Sequence, residues 1–346
     1  MRTGKKILVS GVKPTGRPHI GNYFGAMKQM VDMQDEYDCS IFIADLHALT
    51  SVASGNLANS SGDDSALNVA TNLAQNTLDL AIDYLAIGLD PKKVTLYKQS
   101  DTPQVAELAW IFNCITTMPY LSRAHAFKDA QAKEKETTVG VFDYPILMSA
   151  DILLPGADIV PVGMDQKQHI EIARDTAEKF NRIFGETFAM PEPLITKDVA
   201  VVPGTDGQKM SKSYGNTIGL FASDEEILKA VMKIPTDSKG VDEPKNPDEC
   251  NVFALHKLFS NNGTDADFLD LKARYEKGGI GYKESKEILA HKISAFIAPL
   301  RAEREKIASD PEYVIDLLTA GGKKAHMKAE KKMEEVRKKV GLTFNQ

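Results

Sequence analysis

Lys209 and Lys212 stand three residues apart in "GQKMSKSYGN" (207–216), a stretch of small and polar residues that reads as a loop. Two ammonium groups at that spacing act as point charges on an adjustable segment. They suit a phosphate chain whose negative charge grows as a bond breaks. The alternative is a solvated surface loop, the ordinary fate of Lys/Ser-rich stretches. A second candidate is "GVKPTGRPHIGN" (11–22), directly after the apolar run "KILVS". There Pro14, Thr15 and Gly16 make a tight turn, Gly21 falls where a helix begins, and Asn22 lies in its first turn. Glycine lets a ligand approach bare backbone, helix-start amides favour anions, and His19 offers a donor to a phosphoryl oxygen. The spacing is neither GxGxxG nor a P-loop ending in GK[ST]. By itself the segment fits either a phosphate cradle or a plain strand-to-helix turn.

The elements that must position these loops alternate. "KILVS" (6–10), "CSIFIADL" (39–46), "KVTLYKQS" (93–100) and "ADIVPVG" (157–163) are short and β-branched, which predicts buried parallel strands. Between 165 and 184 the apolar residues Ile170, Ala173, Ala177, Phe180 and Phe184 mark one helix face. The alternation implies an α/β fold, a Rossmann-like doubly wound parallel sheet whose ligands bind beyond the carboxyl ends of the strands. After residue 222 the strand signal ends, and "SDEEILKAVMKI" opens a helical series with Ser223 as N-cap. The predicted division is a Rossmann-like catalytic domain at 1–222 and an all-helical region at 223–346. Residues 321–346 carry eight Lys/Arg against three Glu, a net of +5. Ala329, Met333, Val336 and Val340 repeat there at helical spacing, so the chain ends on an amphipathic basic helix.

Composition narrows the class. The 346 residues can bury a sizeable core, and 42% hydrophobic with 26% charged residues describes an ordinary globular protein. A net charge of −6 argues against generalised polyanion binding while leaving room for local basic patches. Cys39, Cys114 and Cys250 are too far apart for a CxxC site or a disulfide framework, and each is expected to be reduced and buried. The apolar run near the N-terminus is too short for a signal peptide and no stretch approaches a membrane span, so a cytoplasmic protein is expected.

"HIGN" (19–22) and "KMSKS" (209–213), separated by most of the α/β region, make the chain resemble the class I aminoacyl-tRNA synthetases. A five-residue match such as KMSKS arises by chance in a chain of this length roughly once in 10⁴. Asn22 in place of the final histidine of the HIGH loop is a variant of the tryptophan/tyrosine subclass. "SGVKPTGRPHIGNYFGA" (10–26), "FIADLHALT" (42–50), "YPILMSADILL" (144–154) and "VPVGMDQKQHIEIARD" (160–175) extend the likeness, toward the tryptophanyl branch, over roughly residues 7–215. The resemblance implies activation of L-tryptophan by ATP, with Mg²⁺ held by the substrate rather than by protein ligands, and transfer to tRNA(Trp). It further implies a homodimer, with the anticodon met by the helical region or its basic C-terminal helix.

Residue by residue, the resemblance implies that His19, Lys209 and Lys212 carry the chemistry. Lys13, Pro14, Thr15, Gly21 and Asn22 would line the ATP phosphates with Met210, Ser211 and Ser213 of the second loop. Gly163, Met164 and Asp165 would lie beneath the adenosine, Asp165 accepting from a ribose hydroxyl, with Val202 near the adenine. Tyr144 and Gln166 would hold the ammonium group of tryptophan, Asp151 would accept the indole N–H, and Met148, His47 and Gly11 would complete that pocket. Indole has one donor and no acceptor, so an ionised carboxylate is its natural partner. A phenylalanine ring would leave the buried charge unpaired. The other reading of Asp151 is a cap on the helix "DILLPG".

Three departures stand out. Lys13 occupies a position where glutamine is common; in "FKDAQAKEKE" (127–136) Lys128 is kept but Ala130 falls where a second lysine can occur; and "VVPGTDGQ" (201–208) differs in length. The nearest rival, the tyrosyl branch, carries a tyrosine at the position of Val9 and a glutamine at that of Met148. A small adenylyltransferase with a HIGH-type loop lacks KMSKS in this form, and a non-enzymatic amino-acid or RNA sensor is the remaining alternative.

Overall fold

Apolar β-branched runs that bury both faces form the centre of the chain. In the computed structural model, β1 (Ile7–Val12), β2 (Asp38–Ile43), β3 (Thr95–Lys98), β4 (Ile159–Pro161) and β5 (Glu192–Leu194) make one sheet of order β3-β2-β1-β4-β5. The structure describes residues 4–55, 66–123, 138–195, 202–260 and 263–344, less the side chains of 51–55, 66–71, 165 and 213. Each described strand pair is parallel, running from Ile7 opposite Asp38 to Val12 opposite Ile43 between β1 and β2. This is the expected doubly wound sheet, and its order reverses between β1 and β4, where a crevice opens at the strand ends. The strand β5 went unpredicted. It is three residues long, contains Pro193 and is partly exposed, which suits an edge strand and leaves no apolar run to find.

The helix α1 opens at Ile20–Asn22, passes through a π-helical turn at Tyr23–Met27 and ends as Lys28–Met33. A 3₁₀ turn at Met164–Gln166 leads into Lys167–Phe184, whose buried face holds Ile170, Ala173, Ala177 and Phe180 as the periodicity predicts.

By its contacts the chain divides into two compact units. One comprises Met1–Gly16, Met30–Lys197 and Asp310–Gln346, and the other Arg17–Gln29 and Asp198–Ser309. This division does not follow the expected boundary at 222/223, for two physical reasons. The long C-terminal helix Pro311–Lys339 buries Ala329, Met333 and Val336 in the core of the sheet unit. Its Gly321 lies directly on β3, and its Gly322 on the turn that follows. A Cβ at Gly321 would collide with the carbonyl oxygen of Leu96, and one at Gly322 would come 2.6 Å from Asp101 Oδ2. The helix therefore shields a sheet edge that would otherwise offer unpaired backbone groups. In the second unit, Phe24 of α1 packs on Phe259 and Phe296, with centroids 5.4 and 5.7 Å away.

The second unit is helical apart from its loops, with Asp224–Met232, Asn251–Leu258, Ala266–Lys277 and Tyr282–Ala308. Ser223 caps the first of these reciprocally with Glu226, as expected. Phe253, Phe268, Leu271, Tyr275 and Ile280 form its core. His256, fully buried, sits 3.1 Å from the carbonyl oxygen of Ser285. The three cysteines are free. Cys39 is buried as expected, whereas Cys114 is exposed and Cys250 half-buried, a correction that places Cys114 on the outward side of its helix.

Candidate active site

Within the second unit the HIGN segment is a helix cap. The His19 N–H donates to Asn22 Oδ1 at 3.1 Å, and the Asn22 N–H donates to His19 Nδ1 at 3.2 Å. With Nδ1 accepting, the neutral ring carries its proton on Nε2, which is the donor a phosphoryl oxygen requires. Burial, helped by the nearby charge of Lys212, holds His19 down at about 4, so the ring is neutral near pH 7. The Ile20 N–H donates to the carbonyl of Ile218 and the Leu220 N–H to that of Pro18, both at 3.0 Å, tying this cap to residues 218–220. Gly21 is required sterically: a Cβ there would lie 2.9 Å from His19 Nδ1 and 3.3 Å from Met210 Cβ. The two signatures, far apart in sequence, thus come together inside one unit.

The KMSKS loop is built around Asn216, which is 2% exposed. Its Oδ1 accepts from the Ser211 N–H at 2.7 Å, while its Nδ2 donates to Asp206 Oδ1 at 2.7 Å and to the Lys209 carbonyl at 3.1 Å. Met210 is buried and donates its N–H to the Val202 carbonyl at 2.9 Å. Gly215, at φ 65°, ends the 3₁₀ turn Lys212–Tyr214 in the left-handed region that favours glycine. The backbone is anchored through Met210 and Asn216, with the exposed Lys209 and Lys212 on either side of Met210.

In the sheet unit the ends of β1, β2, β3 and β4 converge on a different chemistry. Lys13, an exposed residue following β1, places its ammonium 5.7 Å from the centroid of Tyr144. The Tyr144 hydroxyl lies 2.9 Å from His169 Nε2. Asp151 lies in the helix Val139–Leu153, whose N-cap is Thr138, so the alternative reading of Asp151 as a cap is corrected. Asp151 as a whole is 4% exposed. His47 Nε2 approaches Oδ2 at 2.8 Å, and Gln99 Nε2 donates to both oxygens at 2.9 Å. Burial pushes the Asp151 carboxyl above its ordinary range, and the bonds from His47 and Gln99 oppose that push. Met148 packs, half-buried, against the cluster containing Val9 and Ile152. Gly11 has a steric reason to be glycine, since a Cβ would run into the ring of Phe42 on β2.

Residues 1–298 match the family described as tRNA synthetases class I (W and Y). The chain belongs to that family. It is 46% identical over 341 residues to the tryptophan–tRNA ligase of Fusobacterium nucleatum, covering 98% of this chain and 99% of that protein. Identity to the Rhodopirellula baltica tryptophan–tRNA ligase is 44% over 335 residues, covering 97% and 99%. The crystal structure of Campylobacter jejuni tryptophanyl-tRNA synthetase complexed with ADP and tryptophan superposes with a TM-score of 0.86 at 42% identity, covering 97% of this chain and 99% of that one.

For this class I synthetase, the structure gathers the sequence-nominated residues into two groups. His19, Gly21, Asn22, Val202 and the KMSKS residues lie in the second unit; Gly11, Lys13, Pro14, Thr15, His47, Tyr144, Met148, Asp151, Gly163, Met164 and Gln166 lie in the first. Val202 has its side chain buried and its carbonyl engaged by Met210. The Gln166 N–H donates to the Gly163 carbonyl at 3.0 Å, while Met164 is 69% exposed. The side chains of Asp165 and Ser213, and all of Lys128 and Ala130, lie outside the described residues. Sequence reasoning missed Gln99 and Asn216. Each is a polar residue beside a recognised segment, "LYKQ" after a strand and "SYGN" after KMSKS, and proximity to such a segment was the available signal.

Proposed function

We propose that this chain activates L-tryptophan with Mg·ATP to tryptophanyl-adenylate and pyrophosphate, and then transfers tryptophan to the terminal hydroxyl of tRNA(Trp). The observation that carries this reading is the buried Asp151 carboxylate, held by two donors in a chain bearing both class I signatures. The tryptophan carboxylate attacks the α-phosphorus, and pyrophosphate leaves with the bonding electron pair. No side chain needs to become covalently attached, so the protein contributes position and charge. Lys209 and Lys212 neutralise the departing pyrophosphate, and the neutral His19 donates Nε2–H to a phosphoryl oxygen. Lys13, Pro14, Thr15, Gly21 and Asn22, with Met210, Ser211 and Ser213, line the phosphates; Gly163, Met164, Asp165 and Val202 take the nucleoside. Magnesium enters with ATP, coordinated by phosphate oxygens and water. Tyr144 and Gln166 hold the amino group, Asp151 accepts the ring N–H, and His47, Met148 and Gly11 shape the rest.

The finer assignments have their own supports. A homodimer suits the apolar cleft of about 450 Å³ lined by Leu49, Trp110, Tyr144 and Leu147, together with an exposed Trp110, Met118 and Val139. Transfer RNA is met by the helical region at 223–346, including Lys323, Lys324, Lys331 and Lys338, which are exposed on the last helix. The other cations of that helix serve internally: Arg337 pairs with Glu107 at 2.6 Å, and Lys332 with Glu335 at 2.9 Å. No described helix is long and apolar enough to cross a membrane. We place the reaction in the cytoplasm, where ATP, amino acid and tRNA meet.

The deciding experiment is amino-acid-dependent exchange of pyrophosphate into ATP across the twenty amino acids, followed by charging of tRNA(Trp). Exchange with tryptophan alone is expected. Exchange with tyrosine alone moves the chain to the tyrosyl branch, and no exchange with any amino acid makes it a sensor.

A further inference from the structure

We infer that Gln99 is the positioning residue that gives this site its preference for a ring bearing an N–H donor. The inference rests on Asp151 as the indole acceptor. Gln99 is 1% exposed and connects two groups with one amide. Its Nε2 donates to both Asp151 oxygens at 2.9 Å, and its Oε1 accepts the backbone N–H of His47 at 3.2 Å. Only this orientation of the amide satisfies both neighbours, because the backbone N–H needs an acceptor and the carboxylate needs a donor.

The seat of Gln99 is fixed on several sides. It opens the 3₁₀ turn Gln99–Asp101 at the end of β3, and its carbonyl accepts from the Thr102 N–H at 3.0 Å and the Thr102 hydroxyl at 2.9 Å. The next residue donates its N–H to Asp45 Oδ1 at 3.0 Å. Asp101 accepts from the Lys98 N–H at 3.2 Å and lies against Gly322 of the C-terminal helix, where a Cβ would come 2.6 Å from its Oδ2. An amide so held cannot follow Asp151 if the carboxylate rotates, so it selects one orientation of the acid.

The chemical consequence concerns what Asp151 presents to the ligand. A buried carboxylate without donors favours its protonated form, and a carboxylic acid O–H confronts an indole N–H with another donor. The Gln99 donor keeps both Asp151 oxygens acceptors. Oδ1 receives one described side-chain bond, from Gln99, and so retains a lone pair for the indole. His47 reaches only Oδ2, so Gln99 is the described side-chain donor to Oδ1.

The test compares tryptophan with 3-(1-benzothiophen-3-yl)alanine, a near-isostere whose ring sulfur carries no hydrogen, by kcat/KM in pyrophosphate exchange. The wild-type chain, Gln99→Met, Gln99→Glu and Asp151→Asn are measured, with folding followed by circular dichroism. The expected result is that Gln99→Met lowers the tryptophan-to-analogue preference by at least about tenfold through the KM for tryptophan, leaving the KM for ATP within about threefold. Gln99→Glu keeps the size and the acceptor toward His47 while replacing the neutral amide donor with a carboxyl that competes with Asp151 for a proton. It is expected to lose the same preference, and it stands as the test should the methionine variant not fold. A Gln99 variant that weakens both amino acids equally, or neither, overturns the inference, since packing alone would act on both. If Asp151→Asn collapses the preference while the Gln99 variants keep it, only the role of Gln99 falls. If Asp151→Asn keeps the preference, the acceptor reading falls and the inference with it.

Discussion

At the scale of residues, the chemistry divides between charges left in water and polar groups withdrawn from it. Lys209 and Lys212 are exposed, and in the proposed reaction their value lies in reaching charge that develops only as pyrophosphate departs. Replacing Lys212 with alanine is therefore expected to slow tryptophan-dependent pyrophosphate exchange by about 100-fold or more while tryptophan binding changes little. Equilibrium binding of tryptophan beside the exchange assay checks both halves, and an unchanged exchange rate removes Lys212 from that role. His19 works in the opposite manner. Its ring is kept neutral by burial and Lys212, and its orientation is fixed by the Asn22 cap, so the substitution of asparagine for the second histidine of HIGH has a structural function here. The two signatures were legible in sequence because identity and spacing suffice to mark them. Asn216 was not, because an asparagine has many uses in a loop and only the fold aims its amide at Ser211, Lys209 and Asp206.

At the scale of elements, the C-terminal helix shows how much a pair of small residues can decide. Gly321 in the middle of Pro311–Lys339 weakens the isolated helix, since alanine there would be better by about 1 kcal/mol. The carbonyl of Leu96 occupies the space a Cβ would need, and a backbone oxygen cannot swing aside as a flexible side chain can. Contact therefore outweighs propensity: Gly321→Ala is expected to destabilise the protein by roughly 2–4 kcal/mol, read as a lower urea midpoint. An alanine variant as stable as wild type would mean that the helix does not sit on β3 as described. The same helix carries cations that pair with Glu107, Glu330 and Glu335 and others that are exposed. Reversing Lys323, Lys324, Lys331 and Lys338 to glutamate is expected to reduce tRNA charging by about tenfold or more without altering pyrophosphate exchange, because only the second step involves the nucleic acid. Equal loss in both assays would reassign those lysines to stability.

At the scale of the whole molecule, two buried histidines make stability depend on pH. His19 and His256 are both held at about 4 by burial, against an ordinary value of 6.5. Between pH 6.5 and pH 4 the unfolded chain binds protons that the folded chain does not, so stability is complete above 6.5 and falls as the pH drops through that window. Urea unfolding from pH 7 to pH 4.5 is expected to follow this slope, and His256→Gln to remove about one proton of it. An unaltered slope in that variant would show that His256 does not titrate with folding. Assembly belongs to this scale as well. Trp110, 70% exposed beside an apolar cleft, has more surface in water than a large aromatic side chain ordinarily keeps. Trp110→Glu is expected to shift a dimer to monomer in sedimentation equilibrium, and a monomeric wild-type chain would remove the proposal of a dimer.

The amino-acid order alone determined the doubly wound sheet, the two signature segments and the family, because each rests on local pattern: short β-branched runs, helical spacing and fixed motif identities. It did not determine which parts of the chain pack as one. The cut expected at 222/223 follows the end of the strand signal, whereas contacts return Asp310–Gln346 to the sheet and assign Arg17–Gln29 to the helical unit. Those assignments depend on a glycine pair meeting β3 and its following turn and on Phe24 meeting Phe259 and Phe296, encounters between residues distant in sequence that periodicity does not encode. Asp151 shows the same limit. Its sequence context nominated it as the indole acceptor, but only the fold brought Gln99 and His47 to its two oxygens, and a buried charge takes its character from its neighbours rather than from its place in the chain.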